Sequence, residues 1–319
     1  MTGQKKFDIL VAGELNADII FNRINKMPQI GEEQKAESLT VTMGSSTAIF
    51  ACNISKLGIR VCFCGKAGND SFGKLVTDTL EDNGVDTGYV IRDDTYQTGA
   101  TVILGIQNDR MMVTYPGAME HFSLRDMDDS AFHQARHFHT SSIFFQPGIK
   151  RDLPEIMKKA RLHGMTTSMD TQWDPDEKWD LDLHSILPHL DFFMPNEKEF
   201  LNLTKTSSLE DAFKKMAGFE TAFIIKRGAN GAIWRKGNQQ FDVPAYNIPA
   251  FVDAIGAGDS FNAGFIRAFL KGKNPEISMM EAVKTAAAST MAAGGTAGIV
   301  SYEDIMVKTE NLKPQKTGK

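Results

Sequence analysis

Cysteine is scarce in this chain, with three in 319 residues: Cys52, Cys62 and Cys64. Three thiols cannot build a disulfide framework, and Cys62 and Cys64 alternate along one strand-like run, a spacing that suits no zinc site. They read as small buried apolar residues. Long hydrophobic runs are missing too, so no segment reaches the roughly 20 residues that a membrane span needs. The opening residues MTGQKKFDILVAGEL pass from charge directly into a strand-like run without a cleavage pattern, which points to the cytoplasm. A basic stripe is also absent. The net charge is −5, and lysines gather only in the terminal KPQKTGK, which reads as a solvated tail, so neither a nucleic-acid nor a membrane partner is expected.

What is present is a chain of 42% hydrophobic residues, enough for one large domain over residues 1–319, without internal repeats, low-complexity tracts or linkers. Short apolar runs, FDILVAG, RVCFCGKAG, ARHFHTSS, TTSMD, DFFMPN and TAFIIKRG, end in Gly, Asp, Asn or Ser. Amphipathic stretches lie between them, several closing on glycine. The alternation predicts an α/β fold around a mainly parallel sheet. It breaks twice, within residues 14–43 (ADIIFNRI to LTVTM) and 97–117 (TGATVILGIQ, the polar turn NDR, RMMVTYPG). Neither break has a helix between its strands, so both read as antiparallel pairs of a small side sheet acting as a lid. Its bare edges would favour a homodimer through the lid.

Residues 253–262 read DAIGAGDSFN. The stretch after them sets Phe261, Phe265, Ala268 and Phe269 on one helical face and stops at Gly272, so Gly256, Ala257 and Gly258 fall at a helix N-terminus. Free N–H groups and the helix dipole favour an anion there, and glycine lets a phosphate approach the backbone. A tight turn with Asp259 as a capping acid accounts for the same four residues. In MPNEKEF, Asn196 and Glu199 are either oxygen ligands of a hydrated magnesium ion or partners in a capping box. Ligands of open parallel sheets sit beyond the strand carboxyl ends, which adds Gly13 with Asn16 and Asp18, Asp170, and Lys226 with Gly228 as candidates.

Taken in order, these motifs resemble the ribokinase-like (PfkB) family of sugar and nucleoside kinases along nearly the whole chain. The family signature D-T-x-G-A-G-D stands here as Asp253-Ala254-Ile255-Gly256-Ala257-Gly258-Asp259, departing only at Ala254. Its N-x-x-E is Asn196 and Glu199; its G-x-D-x-x-G is Gly68, Asp70 and Gly73, with Leu80, Gly84 and Val85 downstream; its early N-x-D is Asn16 and Asp18. The resemblance implies a three-layer α/β/α fold with a small β-sheet lid, and ATP-dependent phosphorylation of a hydroxyl, typically hydroxymethyl, group of a small carbohydrate. By the same resemblance Asp259 is the general base, and the backbone of Gly256, Ala257 and Gly258 is the anion hole. Asn196 and Glu199 organise Mg²⁺ through water, and Lys226 and Gly228 meet the nucleotide. Asp253 with the carbonyls of Ile255 and Gly298 matches a potassium site, with Thr296 where an Arg carbonyl serves in ribokinases. Phosphoryl transfer asks mainly for alignment and charge neutralisation, so an ordinary carboxylate suffices as base.

The acceptor end departs from the family. Its G-G-x-x-x-N reads Gly44-Ser45-Ser46-Thr47-Ala48-Ile49, and isoleucine forms no hydrogen bond. Asn16, Asp18, Gly44, Ser45, Thr98 and Asp170 are the substrate-contact candidates, with Thr98 readable as a turn residue and Asp170 as a loop cap. EAVKTAAASTMAAGGTAG serves either adenine contact or small-residue packing. His137 and His139 alternate on an internal strand without a third ligand and read as structural; Trp173 and Trp179 read as core cover. Three functions fit: a sugar kinase; a nucleoside kinase, with Ile49 and Phe50 leaving room for a base; and a non-catalytic sugar sensor, disfavoured by the retained Asp259.

Overall fold

The structure, a computed structural model, describes residues 5–106 and 109–315. Asn108 of the polar turn and the last four residues of the lysine-rich end lie outside the described residues. The strands are β1 (Ile9–Ala12), β2 (Asn16–Ile24), β3 (Ser38–Met43), β4 (Val61–Gly68), β5 (Val85–Asp93), β6 (Gly99–Ile106) and β7 (Asp109–Tyr115). They continue as β8 (His137–Thr140), β9 (Thr166–Met169), β10 (Phe192–Phe193), β11 (Ala222–Lys226), β12 (Ala232–Lys236) and β13 (Gln239–Val243). Nine form one sheet in the order β13-β12-β11-β10-β9-β8-β1-β4-β5, parallel except where β12 pairs with β11 and β13.

Strand periodicity divides the core between the two faces of this sheet. Ile9 and Val11 enter one buried cluster, and Leu10 and Ala12 enter the other with Cys62 and Cys64. The three cysteines are free and buried, and burial pushes the thiols of Cys52 and Cys64 up to about 12. They are inert packing groups.

The remaining four strands form a smaller sheet in the order β3-β2-β6-β7. Both expected antiparallel pairs, β2 with β3 and β6 with β7, are present. They join through a parallel pairing of β2 with β6 that the sequence pattern did not announce. One face of this sheet is apolar across all four strands, through Ile19, Phe21, Val41, Val102, Met111 and Val113; the other carries Asp18, Thr42, Thr101 and Thr114. The two sheets are tied where Asp70, N-cap of the helix Ser71–Asp82, accepts from Gly73 N and from both the N–H and the hydroxyl of Thr98, each at 2.8 Å.

Candidate active site

The carboxyl ends of β1, β9 and β11, with the turn after β10, converge on the start of the helix Ala257–Leu270. Gly256 is its N-cap at φ +69, and a Cβ there would sit 2.6 Å from Gly295 Cα, so both backbone angle and close approach demand glycine. A Cβ on Gly258 would meet only Lys226 Nζ, at 3.7 Å, so this turn's backbone faces open space beside an ammonium group. Asp253 holds the turn from behind, accepting from Ile255 N (2.6 Å) and Gly294 N (3.1 Å). Asp259 follows in the first helical turn and is only 4% exposed. Burial, then the Asp170 charge, hold its carboxyl well above the usual carboxylate range, against the opposing pull of Lys226.

Lys226 closes β11 and pairs with the fully buried Asp170, which also accepts from Asn262 Nδ2 (2.6 Å) and Thr171 N (2.9 Å). The structure therefore sets Asp170 beneath the site as the counter-ion of Lys226, where the sequence pattern offered a substrate contact. Thr98 is committed likewise: besides its bonds with Asp70, its hydroxyl accepts from Gly68 N (2.9 Å), which makes it a junction residue. Asn196 and Glu199 form the capping box in full, with Glu199 N donating to Asn196 Oδ1 (2.9 Å) and Asn196 N to Glu199 Oε2 (3.0 Å). Glu199 is 5% exposed, and burial and Asp170 push its carboxyl up to about 7.

At the start of β2, Asn16 Nδ2 donates to Asp18 Oδ1 (3.1 Å) and Thr101 Oγ1 (3.0 Å), and Asn16 Oδ1 accepts from Ser45 Oγ (2.6 Å). A Cβ on Gly44 would overlap the Asp18 carboxylate. Ser45 adopts φ +70, the left-handed backbone that explains a glycine at this place in the family pattern. Burial pushes Asp18 up to about 6. Below it, Glu14 accepts from Thr47 N (3.2 Å) and the Thr47 hydroxyl, and burial pushes this carboxyl up to about 7. Ile49 is buried against Gly256 and Gly295, and Phe50 stacks on His139 at 3.8 Å. Both side chains pack into the core, Ile49 beneath the turn at Gly256.

A cavity of about 450 Å³ is lined by Lys226 and Gly258 together with the apolar Phe251, Val283, Ala286 and Ala287. The small residues of the 281–298 segment thus both pack the helix and line a hollow. Gly228, at φ +55, lies on its wall. His137 and His139 are buried and bridged by Ser168 Oγ (2.8 and 2.7 Å), and burial lowers both, which matches structural histidines. Trp173 and Trp179 stand edge to face at 5.0 Å, with Trp179 buried. Sequence reasoning missed Gln172, which donates to Asp259 Oδ1 (3.2 Å), and Asn262; the one signal for Asn262 was its place one helical turn beyond Asp259.

The family profile described as pfkB family carbohydrate kinase matches residues 6–301. The chain belongs to this family. As a pfkB kinase it is similar to the ribokinase of Bacillus subtilis, at 25% identity over 93% of this chain and 98% of that one. Its fold is similar to Arabidopsis thaliana ribokinase complexed with ribose and ATP (23% identity, TM-score 0.83, 95% and 98% of the two chains). It is also similar to a candidate ribokinase II from E. coli in complex with ATP and Mg²⁺ (24% identity, TM-score 0.83, 95% and 99%). Among the described residues no helix is long and apolar enough to cross a membrane, and no three His, Cys, Asp or Glu side chains converge as a metal cage.

The kinase carries a pH liability at Glu14. Its folded-state value of about 7 exceeds the ordinary 4.5, so its favourable contribution is complete below pH 4.5 and is lost as pH rises through 7, a difference of about 3 kcal/mol. Glu14→Gln removes the ionisation. Its melting temperature relative to the parent is expected to be several degrees higher at pH 8 than at pH 5; equal differences at the two pH values would refute the assignment.

Proposed function

We propose that this kinase transfers the γ-phosphoryl group of ATP to a hydroxymethyl group of a small carbohydrate, with Asp259 as general base. The observation that carries this reading is the junction at Gly258 and Asp259: an open helix N-terminus meets the long cavity on one side and a buried carboxylate on the other. The backbone of Gly256, Ala257 and Gly258 is the anion hole. Lys226, beside Gly258, neutralises phosphate charge, and Gly228 follows the nucleotide along the cavity wall. The apolar lining of the cavity fits a purine. Asn16, Asp18 and Ser45 form the acceptor end, a hydrogen-bonding surface suited to sugar hydroxyls. Burial of Ile49 and Phe50 removes the residue argument for a nucleoside acceptor, and the intact Asp259 opposes a non-catalytic sensor.

Asn196 and Glu199 fit magnesium held through water. Their oxygens are hard donors, and both carboxylate oxygens of Glu199 already accept hydrogen bonds, which leaves outer-sphere contact. Magnesium, when bound with the nucleotide, neutralises charge on the phosphates. The potassium donor set of Asp253, Ile255 and Gly298 is a poorer fit. Lys56 donates to Thr296 O (2.8 Å) and Lys308 to Gly298 O (3.4 Å), so two ammonium groups already serve this loop. We read the small sheet as a lid over the acceptor, and its apolar outer face as the contact of a homodimer.

Three outcomes are expected. Asp259→Asn preserves shape but not the proton acceptor, so turnover falls by about 10² to 10⁴ while ATP affinity, measured by calorimetry, stays within about threefold. Near-parental turnover would remove Asp259 as base. Replacing potassium by tetramethylammonium at constant ionic strength changes the rate less than about threefold, whereas a loss of tenfold or more would restore the ion to the site. Light scattering gives a dimer mass for the parent, and Val113→Lys on the outer face gives a monomer. A monomeric parent would sink the lid interface.

A further inference from the structure

Three consecutive residues beyond β9 each touch a different part of the site. Asp170 holds Lys226 and Asn262, Thr171 Oγ1 donates to Glu199 Oε2 (3.3 Å), and Gln172 Nε2 donates to Asp259 Oδ1 (3.2 Å). The last contact needs unusual backbone. Gln172 sits at φ +64, in the left-handed region, which residues other than glycine rarely adopt. The loop is held in place from both sides: Asp170 and Thr171 anchor it upstream, and downstream Asp174 accepts from Trp179 N (2.6 Å) and Asp176 N (3.0 Å). Lys198 lies over the Trp173 ring at 4.3 Å. A strained residue fixed by its neighbours and turned toward a reactive carboxylate is the mark of a functional constraint.

We propose that Gln172 is a positioning residue for phosphoryl transfer: its side-chain amide fixes Oδ1 of Asp259 and leaves Oδ2 for the acceptor hydroxyl. This rests on Asp259 being the base. In the step, Oδ2 takes the hydroxyl proton, the hydroxyl oxygen bonds to the γ-phosphorus, and the bond from that phosphorus to the β–γ bridging oxygen breaks, so ADP leaves with the electron pair. An amide suits the task because it donates to the carboxylate yet neither titrates nor competes for the proton. The other groups acting on Asp259 are Asp170 from the end of β9 and Glu14 from the end of β1, which raise its proton affinity, with Lys226 from β11 and the Ser46 hydroxyl, which lower it. An amide N–H donating to a carboxylate favours the ionised form, so on this proposal loss of the Gln172 hydrogen bond raises the pH at which Asp259 ionises and lets the carboxyl rotate more freely.

The test compares Gln172→Leu and Gln172→Glu with the parent in the full chain, using ATP and the best acceptor from a panel of sugars, from about pH 5 to 9. For Gln172→Leu the expectation is a kcat about tenfold lower, a KM for ATP within about twofold, and an acid limb of the pH profile moved upward by about half a unit or more. Gln172→Glu sets a second acid beside Asp259 and moves the limb further in the same direction. A parental kcat in Gln172→Leu overturns the proposal. So does a lower kcat with an unmoved limb, which marks a merely structural role. If Asp259→Asn is inactive while Gln172→Leu is normal, positioning fails and the base survives; if Asp259→Asn turns over normally, the base itself fails.

Discussion

The buried pair of Asp170 and Lys226 is the constraint around which this site is built. Among the described residues, four carboxyl groups, those of Glu14, Asp170, Glu199 and Asp259, are buried where the strand ends meet, and one ammonium group, that of Lys226, stands among them. Burying a charge is costly unless it is paired and hydrogen-bonded. Asp170 meets that condition through Lys226, Asn262 and the Thr171 N–H. The other three carboxyls do not, and burial moves them toward neutrality. This cluster is short of positive charge, an arrangement that suits a reaction whose reactants carry a cation in with them.

The scaffold explains how such a cluster can be held. Short parallel strands bring residues distant in sequence to one edge of the sheet, and each contributes the side chain just past its last hydrogen bond. The smaller sheet reaches the same edge by another route, from β2 directly after β1 and from β6 through the junction of Asp70 with Thr98. Its alternation gives it one apolar face and one mixed face, where Asp18, Thr101 and Thr114 lie beside Ile20, Ile103 and Met112.

Much of this was legible in the chain. The strand and helix alternation, the helix that starts in GAGD and the reciprocal spacing of Asn196 and Glu199 are local patterns, and local geometry realises them. The family motifs were legible for the same reason: a turn that needs glycine, or a helix that needs a cap, writes its requirement into adjacent residues. Thr98, Asp170 and Ile49 were read less well. Each has a side chain that suits several neighbours, and its partner, Asp70, Lys226 or Gly295, lies far away in sequence.

The sequence by itself determined the class of fold, the position of the glycine turn that opens the helix Ala257–Leu270 and the capping box of Asn196 with Glu199, because periodicity, capping and backbone angle act over a few residues. Only the tertiary structure decided which buried carboxylate pairs with Lys226, that β2 and β6 run parallel, and that Gln172 reaches Asp259. Those outcomes depend on burial and on contacts between distant segments. Charge in a protein interior is settled by neighbours, and neighbours across a sheet are invisible along a chain.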